Sequence, residues 1–338
     1  MEGKGTVLVT GGSGFLGGWC IVSLLEAGYS VRTTVRDLAR ESEVRGGVAS
    51  ATEPSGRLEV VAADLMRDDG WAEAVAGCEY VLHVASPLPA TQPKDPAELL
   101  IPARDGTLRV LRASLDAGVK RVVMTSSVAA IRGTARRGDG PLTEDDWSDP
   151  NDSSLTPYTR SKTTAEQAAR ALVRERDATD RLAAVNPGAI IGPLLTDDPS
   201  YSLQAIDRML GGMPGVPKLG FSFVDVRDVA DLHRLAMTAP EAGGERFIAI
   251  ERFLWMAEVG AVLRERLGER ARKVPTRTVP NFVVRGMSLF DGSLRSIVSD
   301  LGQKVTYSNE KAKTRLGWAP RPAADSVVDC AESLLARR

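Results

Sequence analysis

Short apolar runs rich in β-branched residues recur through the first half of the chain, and segments with the apolar spacing of amphipathic helices separate most of them. The six runs occupy residues 6–10, 30–35, 58–63, 80–84, 121–126 and 181–186. Strands that alternate with helices in this way are typical of a parallel sheet covered on both faces. The pattern therefore predicts an α/β fold with a doubly wound, Rossmann-type parallel sheet.

The alternation ends after residue 187, which indicates a second structural part. Proline and glycine are dense over 193–220, and 251–338 is mostly helical in pattern. Segments 221–226 and 246–250 are expected to be strands that return to the core. We therefore expect a Rossmann domain and a smaller, mostly helical lobe, built respectively from 1–187 plus about 221–250 and from about 188–220 plus 251–338.

A glycine-rich stretch joins the first predicted strand to an amphipathic helix. It reads Thr10-Gly-Gly-Ser-Gly-Phe-Leu-Gly17 and fits G-x-G-x-x-G through Gly12, Gly14 and Gly17, or T-G-x-x-G-x-x-G with Gly11 as the first glycine. Glycines permit a tight turn and close approach of a pyrophosphate, whose charge is attracted by free amides at a helix start. Because a second strand follows at βαβ spacing, the stretch predicts dinucleotide binding rather than a plain loop.

The composition limits the classes of partner that are expected for this chain. The 338 residues include 43 basic and 44 acidic ones, a net charge of −1, so there is no electrostatic argument for nucleic acid or a membrane surface, and a small molecule is the expected partner. No apolar run reaches the ~18 residues of a membrane span, and no signal segment is evident, so a cytoplasmic protein is expected. A disulfide framework or a metal site is not expected, because the chain has two histidines, His83 and His233, and three isolated cysteines, Cys20, Cys78 and Cys330.

The end of the second predicted strand, Thr34-Val-Arg-Asp37, bears on the choice of cofactor. In NAD enzymes of this architecture an acidic residue at the end of the second strand binds the ribose 2′-hydroxyl. Counting along this sequence puts that position at Val35, which is not acidic. Arg36 comes next, and a guanidinium there binds a 2′-phosphate, with Arg40 as a possible assistant. NADP(H) is therefore the predicted cofactor. The alternatives are that Asp37 is the ribose acid or that Arg36 is a solvated charge.

The sequence pattern leaves two interpretations open at each of two other residues, Pro102 and Asp64. The helix predicted over 96–117 contains Pro102, which should kink that helix or end its first part, because proline has no amide hydrogen to donate. Asp64 follows the third predicted strand, where its carboxylate either meets the adenine edge or caps the next helix.

Candidate catalytic residues lie at the end of the fifth predicted strand and on the helix that follows it. Tyr158 and Lys162 are four residues apart and hence on one helical face. A phenol has an ordinary pKa of about 10, and a nearby ammonium and hydroxyls are expected to lower it, so that Tyr158 can protonate a carbonyl oxygen. Ser126 and Ser127 follow the fifth strand at the ligand-binding edge, where either hydroxyl holds the substrate oxygen or caps local backbone.

These features together make the chain resemble the extended short-chain dehydrogenase/reductases over essentially its full length. Within them it resembles the branch of dihydroflavonol reductases, cinnamoyl-CoA reductases and bacterial or yeast aldehyde and ketone reductases. The further motifs that carry the resemblance are Ala63-Asp-Leu65, His83-Val-Ala-Ser-Pro87, Thr125-Ser-Ser127, Tyr158-x-x-x-Lys162, Asn186-Pro-Gly188, Gly192-Pro193 and Phe223-Val-Asp-Val-Arg-Asp-Val-Ala230.

The resemblance implies that Ser127 polarises the carbonyl, that Tyr158 donates the proton, and that Lys162 binds the nicotinamide ribose and tunes Tyr158. It also implies cofactor contacts from Gly11, Gly14, Phe15, Leu16, Gly17, Arg36, Asp64, Leu65, Val84, Ala85, Ser86, Thr125, Tyr158, Lys162, Pro187 and Ile190. It gives His83 only a packing role at a strand end. It makes three residues of the 223–230 segment part of ion-paired architecture, namely Asp225, Arg227 and Asp228.

Two departures from the family pattern matter. Family members often have Gly-Thr-x-Asn before the fifth strand, with the asparagine holding a water of a proton relay, whereas this chain has Gly106-Thr-Leu-Arg109. Cinnamoyl-CoA reductases tend to have aromatic and cysteine residues around the tyrosine, and Thr156-Pro-Tyr-Thr159 has neither, which disfavours a CoA thioester.

The resulting hypothesis is an NADPH-dependent reductase of an apolar, aromatic or ketoester-like aldehyde or ketone. Its pocket is expected near 86–91, 131–138, 194–217 and 282–294, where Phe282, Met287, Leu289 and Phe290 line the substrate or form lobe core. The alternatives are a nucleotide-sugar epimerase or dehydratase, a hydroxysteroid dehydrogenase, and a non-catalytic NADP(H) sensor. The resemblance allows a monomer or a homodimer.

Overall fold

The structure is a computed structural model that describes residues 4–86, 95, 97–133, 140–197, 201–289 and 297–338. Seven parallel strands form the central sheet, in the order β10-β6-β5-β4-β1-β2-β3. Their bounds are β1 Lys4–Thr10, β2 Tyr29–Val35, β3 Leu58–Ala62, β4 Cys78–His83, β5 Arg121–Thr125, β6 Leu182–Pro187 and β10 Arg246–Ala249. All six strands predicted in the first half are present, with ends shifted by at most two residues, and the predicted Rossmann-type sheet is confirmed.

Helices cover both faces of this sheet and build most of the smaller lobe. They are α1 Phe15–Glu26, α2 Glu41–Ala49, α3 Trp71–Val75, α4 Ala97–Asp116, α5 Pro157–Glu175, α6 Gln204–Gly211, α7 Val226–Thr238, α8 Met256–Leu267, α9 Asn281–Met287, α10 Glu310–Leu316 and α11 Ala323–Leu335. Within the described ranges, no helix has both the length and the apolar character needed to cross a bilayer.

Of the two outcomes expected at Pro102, the ending of the first part of the helix is wrong. The helix α4 runs without interruption from Ala97 to Asp116 with the proline inside it. A proline in this place forfeits one backbone hydrogen bond near the helix start. Burial of the face that includes Leu99, Ala103 and Val110 outweighs that loss.

Of these two further strands, only the second joins the main sheet, as β10. The segment predicted at 221–226 forms β9 (Gly220–Asp225), which pairs with β7 (Ala189–Ile191) and β11 (Arg252–Trp255) in a separate three-stranded sheet. The edge beside β6 is taken by β10, and β9 instead passes so close to the chain after β6 that a Cβ on Gly188 would lie 2.1 Å from the Ser222 carbonyl oxygen.

Three large hydrophobic clusters organise the described residues, and one of them packs α3, α4 and α5 against the main sheet. The largest lies between the main sheet, α1 and α7, and it includes Ala312, Leu316 and Trp318 from the C-terminal segment. Trp318 is anchored there because its indole Nε1 donates to the Asp228 carbonyl oxygen at 2.8 Å. The second core joins α6, α8 and α11. Helix α10 therefore packs with the main sheet, although it lies in the range expected to form the smaller lobe.

All parallel strands end at one edge of the main sheet, and the strand order reverses direction between β1 and β4. Such a reversal leaves a crevice outside the carboxyl ends of the strands, which is where doubly wound sheets bind ligands. The glycine-rich loop follows β1 at this edge, and the Thr-Ser-Ser segment follows β5.

We expect Gly17→Ala to destabilise the fold by about 1–3 kcal/mol, because its Cβ would lie 2.2 Å from the Gly11 carbonyl oxygen. Gly46→Ala is the matched control, since Gly46 is also helical but has open space around its missing Cβ. The control should be neutral or stabilise by up to about 1 kcal/mol. Urea unfolding measures both, and equal stability of the two variants would contradict the role of close packing at Gly17.

Candidate active site

The loop after β1 forms a cradle that only glycine can line. Gly11 has a φ of +75° and its Cβ would lie 3.0 Å from the Cβ of Ala85, so a side chain there would be strained and crowded. The helix α1 starts at Phe15, and in the described part of the chain the amides of Phe15, Leu16 and Gly17 have no hydrogen-bond acceptor. Free amides and the helix dipole fit the pyrophosphate of a dinucleotide.

The end of β2 presents one unpaired guanidinium beside this cradle. Arg36 is exposed and makes no ion pair with any residue that the structure describes. Asp37 is engaged locally, because its carboxylate accepts from the Ala39 amide at 2.9 Å. Arg40 forms a two-fold hydrogen bond with Glu43 at 2.8 and 2.9 Å. Of the two arginines considered for the 2′-phosphate, Arg36 is therefore the one that has no ion pair among the described residues.

The third strand contributes Asp64 and Leu65. The Asp64 carboxylate accepts from the Met66 amide at 3.0 Å, so it caps the local turn, and this contact leaves its second oxygen for another donor. Leu65 lies against Gly106 of α4, where an added Cβ would come within 2.9 Å of the leucine Cβ. Adenine contacts from either residue stay a prediction.

Residues 84–86 lead away from β4 along the same edge. Ala85 donates its amide to Thr10 Oγ1 at 3.0 Å, which fixes this segment against the end of β1. Val84 is half-buried against the larger core and Ser86 is exposed. On the other side of the site, Pro187 ends β6 and Ile190 lies within β7.

The structure brings Ser127, Tyr158 and Lys162 together. Thr156 caps α5 by accepting from the Thr159 amide at 3.1 Å, which places Tyr158 in the first turn and Lys162 in the second. The Tyr158 hydroxyl is hydrogen-bonded to the Ser127 side chain. Lys162 Nζ donates to the carbonyl oxygen of Thr125 at 3.3 Å.

The structure also separates the roles of the two serines. Ser126 Oγ donates to the buried carboxylate of Glu166 at 2.6 Å, behind the sheet edge. Ser127 instead begins a short 3₁₀ turn, accepts from the Ala129 amide and meets Tyr158. Only the Ser127 hydroxyl can share an oxygen ligand with Tyr158.

Burial controls the protonation of Tyr158 and Lys162. The expectation that the pKa of Tyr158 is lowered is wrong. Burial raises the pKa of Tyr158 above its ordinary value, and the hydrogen bond from Ser127 opposes that rise without overcoming it. Burial lowers the pKa of Lys162 to about 8, although the carboxylate of Glu166 acts in the opposite direction. Desolvation disfavours phenolate and ammonium alike. Tyr158 is therefore a protonated donor at neutral pH.

A buried carboxylate that the sequence reasoning missed holds these segments in place. Glu166 accepts from Asn186 at 3.0 Å and from Arg246 Nε at 2.7 Å, in addition to Ser126. Asn186 also donates to the Ser127 carbonyl oxygen at 3.1 Å. The cluster thus links β5, α5, β6 and β10. Its signal in the sequence is the spacing, since Glu166 stands one turn after Lys162 on an apolar helix face.

The charge of this carboxylate is maintained by its partners. Burial alone would raise the pKa of Glu166, but the guanidinium groups of Arg246 and Arg170 and the hydrogen bond from Ser126 hold it below its ordinary value. The side chain of Glu166 is fully buried, and that of Arg246 is 5% exposed. Such a pair is costly to break because each partner leaves the other as an isolated buried charge.

The Thr125 hydroxyl has a histidine as its partner. His233 Nδ1 lies 2.8 Å from the Val229 carbonyl oxygen and must donate to it, so Nε2 accepts from Thr125 Oγ1 at 2.7 Å. Burial lowers the pKa of His233 to about 4. The cofactor contact of Thr125 stays a prediction.

The structure shows the contacts of two features of the family pattern, the 223–230 segment and Arg109. The ion-paired reading of the 223–230 segment is confirmed, because Asp225 binds Arg227 at 2.7 Å and Asp228 binds Arg321 at 2.9 Å. Arg109, at the position of the relay asparagine, binds Asp68 and donates to the Leu65 carbonyl oxygen at 2.8 Å.

The substrate side is described only in part, since 87–91, 134–138 and 290–294 lie outside the described residues. Phe282, Met287 and Leu289 are 76%, 50% and 70% exposed, so they are not lobe core, and Phe290 lies outside the described residues. A groove of about 560 Å³ runs beside Phe282, Pro217 and Trp255, and none of Ser127, Tyr158 and Lys162 lines it.

Comparison with known proteins identifies the family of the chain. The model of the NAD dependent epimerase/dehydratase family matches residues 7–249. Cinnamoyl-CoA reductase CAD2 of Medicago truncatula is 37% identical over 266 residues, which cover 77% of this chain and 80% of that protein. Dihydroflavonol 4-reductase of Hordeum vulgare is 32% identical over 96% of this chain and 95% of its own. The chain therefore belongs to the NAD dependent epimerase/dehydratase family, the extended short-chain dehydrogenase/reductases.

Solved structures support the same placement. The crystal structure of yeast methylglyoxal/isovaleraldehyde reductase Gre2 complexed with NADPH superposes with a TM-score of 0.82 at 25% identity, covering 98% of each chain. The predicted family, and its branch among the reductases, are thus confirmed.

We expect Glu166→Gln to lower the free energy of unfolding by about 3 kcal/mol at neutral pH, because Arg246 loses its buried counter-charge. The native pKa of Glu166 lies below its ordinary value, so this contribution is present above the ordinary glutamate pKa and is lost as the pH falls. The difference from wild type should therefore shrink in acid.

Urea unfolding at several pH values measures this difference. Glu59→Gln is the matched control, because Glu59 pairs with Arg32 at 2.7 Å but is 56% exposed, and its loss should cost no more than about 1 kcal/mol. Equal effects of the two substitutions would show that the buried cluster does not stabilise the fold.

Proposed function

We propose that this protein is an NADPH-dependent carbonyl reductase that converts a small aldehyde or ketone to an alcohol. The observation that carries the proposal is the hydrogen-bonded pair of Ser127 and Tyr158, with Lys162 one turn along, at the same sheet edge as the glycine cradle. Such a pair aims two hydroxyl donors at one oxygen, as stabilisation of a developing alkoxide requires.

The protein groups divide the work as follows. NADPH, when bound, supplies the hydride. Ser127 and Tyr158 donate hydrogen bonds to the carbonyl oxygen and so polarise it. Tyr158 then gives its proton to that oxygen, for which its raised pKa keeps it protonated. The Lys162 ammonium stabilises the phenolate that remains.

The dinucleotide is proposed to bind along the crevice between β1 and β4. The amides of Phe15, Leu16 and Gly17 would hold the pyrophosphate, and Arg36 would bind the 2′-phosphate as a bidentate donor. The engagement of Asp37 in its own turn argues against the NAD alternative. The NADPH in the yeast structure supports the same choice.

The proposed substrate is an apolar, aromatic or ketoester-like aldehyde or ketone. Relatives are named cinnamoyl-CoA reductases, but the segment Thr156-Pro-Tyr-Thr159 lacks the aromatic and cysteine residues that the family pattern associates with thioesters. A nucleotide-sugar dehydratase is disfavoured because Val128 and Ala129 follow Ser127 where those enzymes carry an acidic pair. A hydroxysteroid dehydrogenase and a non-catalytic NADP(H) sensor are the other outcomes.

We expect Arg36→Ala to weaken NADPH binding about 10- to 100-fold and to leave NADH binding nearly unchanged, because only NADPH carries the 2′-phosphate. Fluorescence titration of the purified protein with each dinucleotide measures this. Arg40→Ala is the control, with a smaller effect expected because Arg40 is already paired with Glu43. Equal losses for both dinucleotides would contradict the role of Arg36.

We expect NADPH oxidation with at least one member of a panel of aromatic aldehydes, β-ketoesters and dihydroflavonols, followed at 340 nm. Tyr158→Phe should lower the rate at least about 100-fold while NADPH still binds, because only the proton donor is removed. Binding of NADPH with no turnover on any carbonyl would instead favour the sensor or sugar-modifying alternatives.

A further inference from the structure

Residues 144–148, here called the brace, lie against the open edge of the main sheet. The edge strand is β10, whose outer backbone groups need partners other than a further strand. The Ile248 amide on this strand donates to the buried carboxylate of Glu144 at 3.0 Å. The brace therefore satisfies part of the edge that a further strand would otherwise pair with.

One side chain of β10, that of Arg246, anchors the brace. Its Nη1 donates to the carbonyl oxygens of Glu144 and Asp146, both at 2.8 Å. The Trp147 ring covers the guanidinium, whose carbon lies 3.6 Å from the ring centroid, and an aromatic face attracts a cation placed in this way. Because Nε of the same guanidinium donates to Glu166, one buried arginine joins the brace to α5.

The last residue of the brace, Ser148, ties it to the turn that follows Ser127. Ser148 is 1% exposed, and its amide donates to the Ala130 carbonyl oxygen at 2.9 Å. Its hydroxyl accepts from the Gly133 amide at 2.9 Å and donates to the Ala129 carbonyl oxygen at 2.6 Å. The backbone and the side chain of one buried serine therefore both hold this turn.

Ala129 connects Ser148 to the Ser127 hydroxyl. Its carbonyl oxygen accepts from Ser148, and its amide donates to Ser127 Oγ at 3.1 Å. The Ser127 oxygen is thus an acceptor on the side of the turn, so its own proton is directed to the other side, where the hydroxyl is hydrogen-bonded to Tyr158. A displacement of Ala129 would therefore change the direction in which Ser127 donates.

We propose that Ser148 is a positioning residue for the reaction, which holds Ala129 so that the hydroxyls of Ser127 and Tyr158 are aimed at the same oxygen. The inference rests on the proposed reductase function, and it gives a catalytic consequence to a segment that covers a sheet edge. Ser148 acts through Ser127 and not on the reacting atoms. A misaligned donor stabilises a developing alkoxide less well, because hydrogen bonds weaken steeply with angle.

The test compares Ser148→Ala with Ser114→Ala, because each removes a buried serine hydroxyl that donates to a backbone carbonyl oxygen. Ser114 donates to the Val110 carbonyl oxygen at 2.7 Å within α4. Both variants should lower the urea midpoint of unfolding. Only Ser148→Ala should lower kcat, about tenfold, with a KM for NADPH within about twofold of wild type. A Ser148→Ala variant with the kcat of wild type, while Tyr158→Phe is inactive, would overturn the proposal and leave the reductase function intact.

A double variant tests whether Ser148 acts through Ser127. Ser127→Ala should lower kcat about 100-fold, and the addition of Ser148→Ala should cause no further loss, because the hydroxyl that Ser148 positions is then absent. Losses that multiply in the double variant would show another route and overturn the proposal. Should Ser148→Ala not fold, Ser148→Cys takes its place with the same expectations, because a thiol is a weak donor.

Crystal structures of the NADPH complexes supply a readout that does not depend on turnover. We expect Ser127 Oγ within about 3 Å of the Tyr158 hydroxyl oxygen in wild type and in Ser114→Ala, and beyond about 3.5 Å in Ser148→Ala. An unchanged distance in Ser148→Ala would contradict the positioning role. If the distance changes but wild type reduces no carbonyl, the positioning by Ser148 stands and the reductase function fails.

Discussion

The buried carboxylate of Glu166 is the contact on which the geometry of the site depends. A lone charge in this environment is unfavourable, so its partners have to be present in the folded chain. Those partners come from four different elements: Ser126 after β5, Asn186 on β6, Arg246 on β10 and Arg170 on the same helix. Satisfying one charge therefore sets the positions of the segments that carry Ser127 and Tyr158.

The pKa values of Tyr158 and Lys162 depend on desolvation, which only the folded structure shows. On an isolated helix a lysine one turn away would favour the phenolate of Tyr158. In the folded chain burial acts on both groups and favours neutral forms, so the phenol keeps its proton and the ammonium holds its own less tightly. A tyrosine that keeps its proton suits the role proposed for Tyr158, and a lysine with a pKa of about 8 is still mostly charged at neutral pH.

The polar groups behind the catalytic residues form two separate systems. Glu166 and its partners hold the backbone of the Thr-Ser-Ser segment, whereas Thr10, His83 and Thr107 form a neutral chain on the other side of Lys162. The first system fixes geometry through charge, and the second consists of neutral hydrogen-bonding groups. Arg109 belongs to neither, because its guanidinium lies at the surface beside Asp68.

Local sequence alone determined the six parallel strands, the glycine turn and the helical Tyr-Lys face, because strand periodicity, glycine conformation and four-residue spacing depend on near neighbours. The ion pairs of Asp225 and Asp228 followed from the family resemblance. Only the tertiary structure decided that 221–226 pairs in a second sheet, that Pro102 stays inside its helix, that Ser126 faces Glu166 while Ser127 faces Tyr158, and that burial raises the tyrosine pKa. Each of those outcomes depends on groups distant in sequence, which compete for one sheet edge or remove water from one charge.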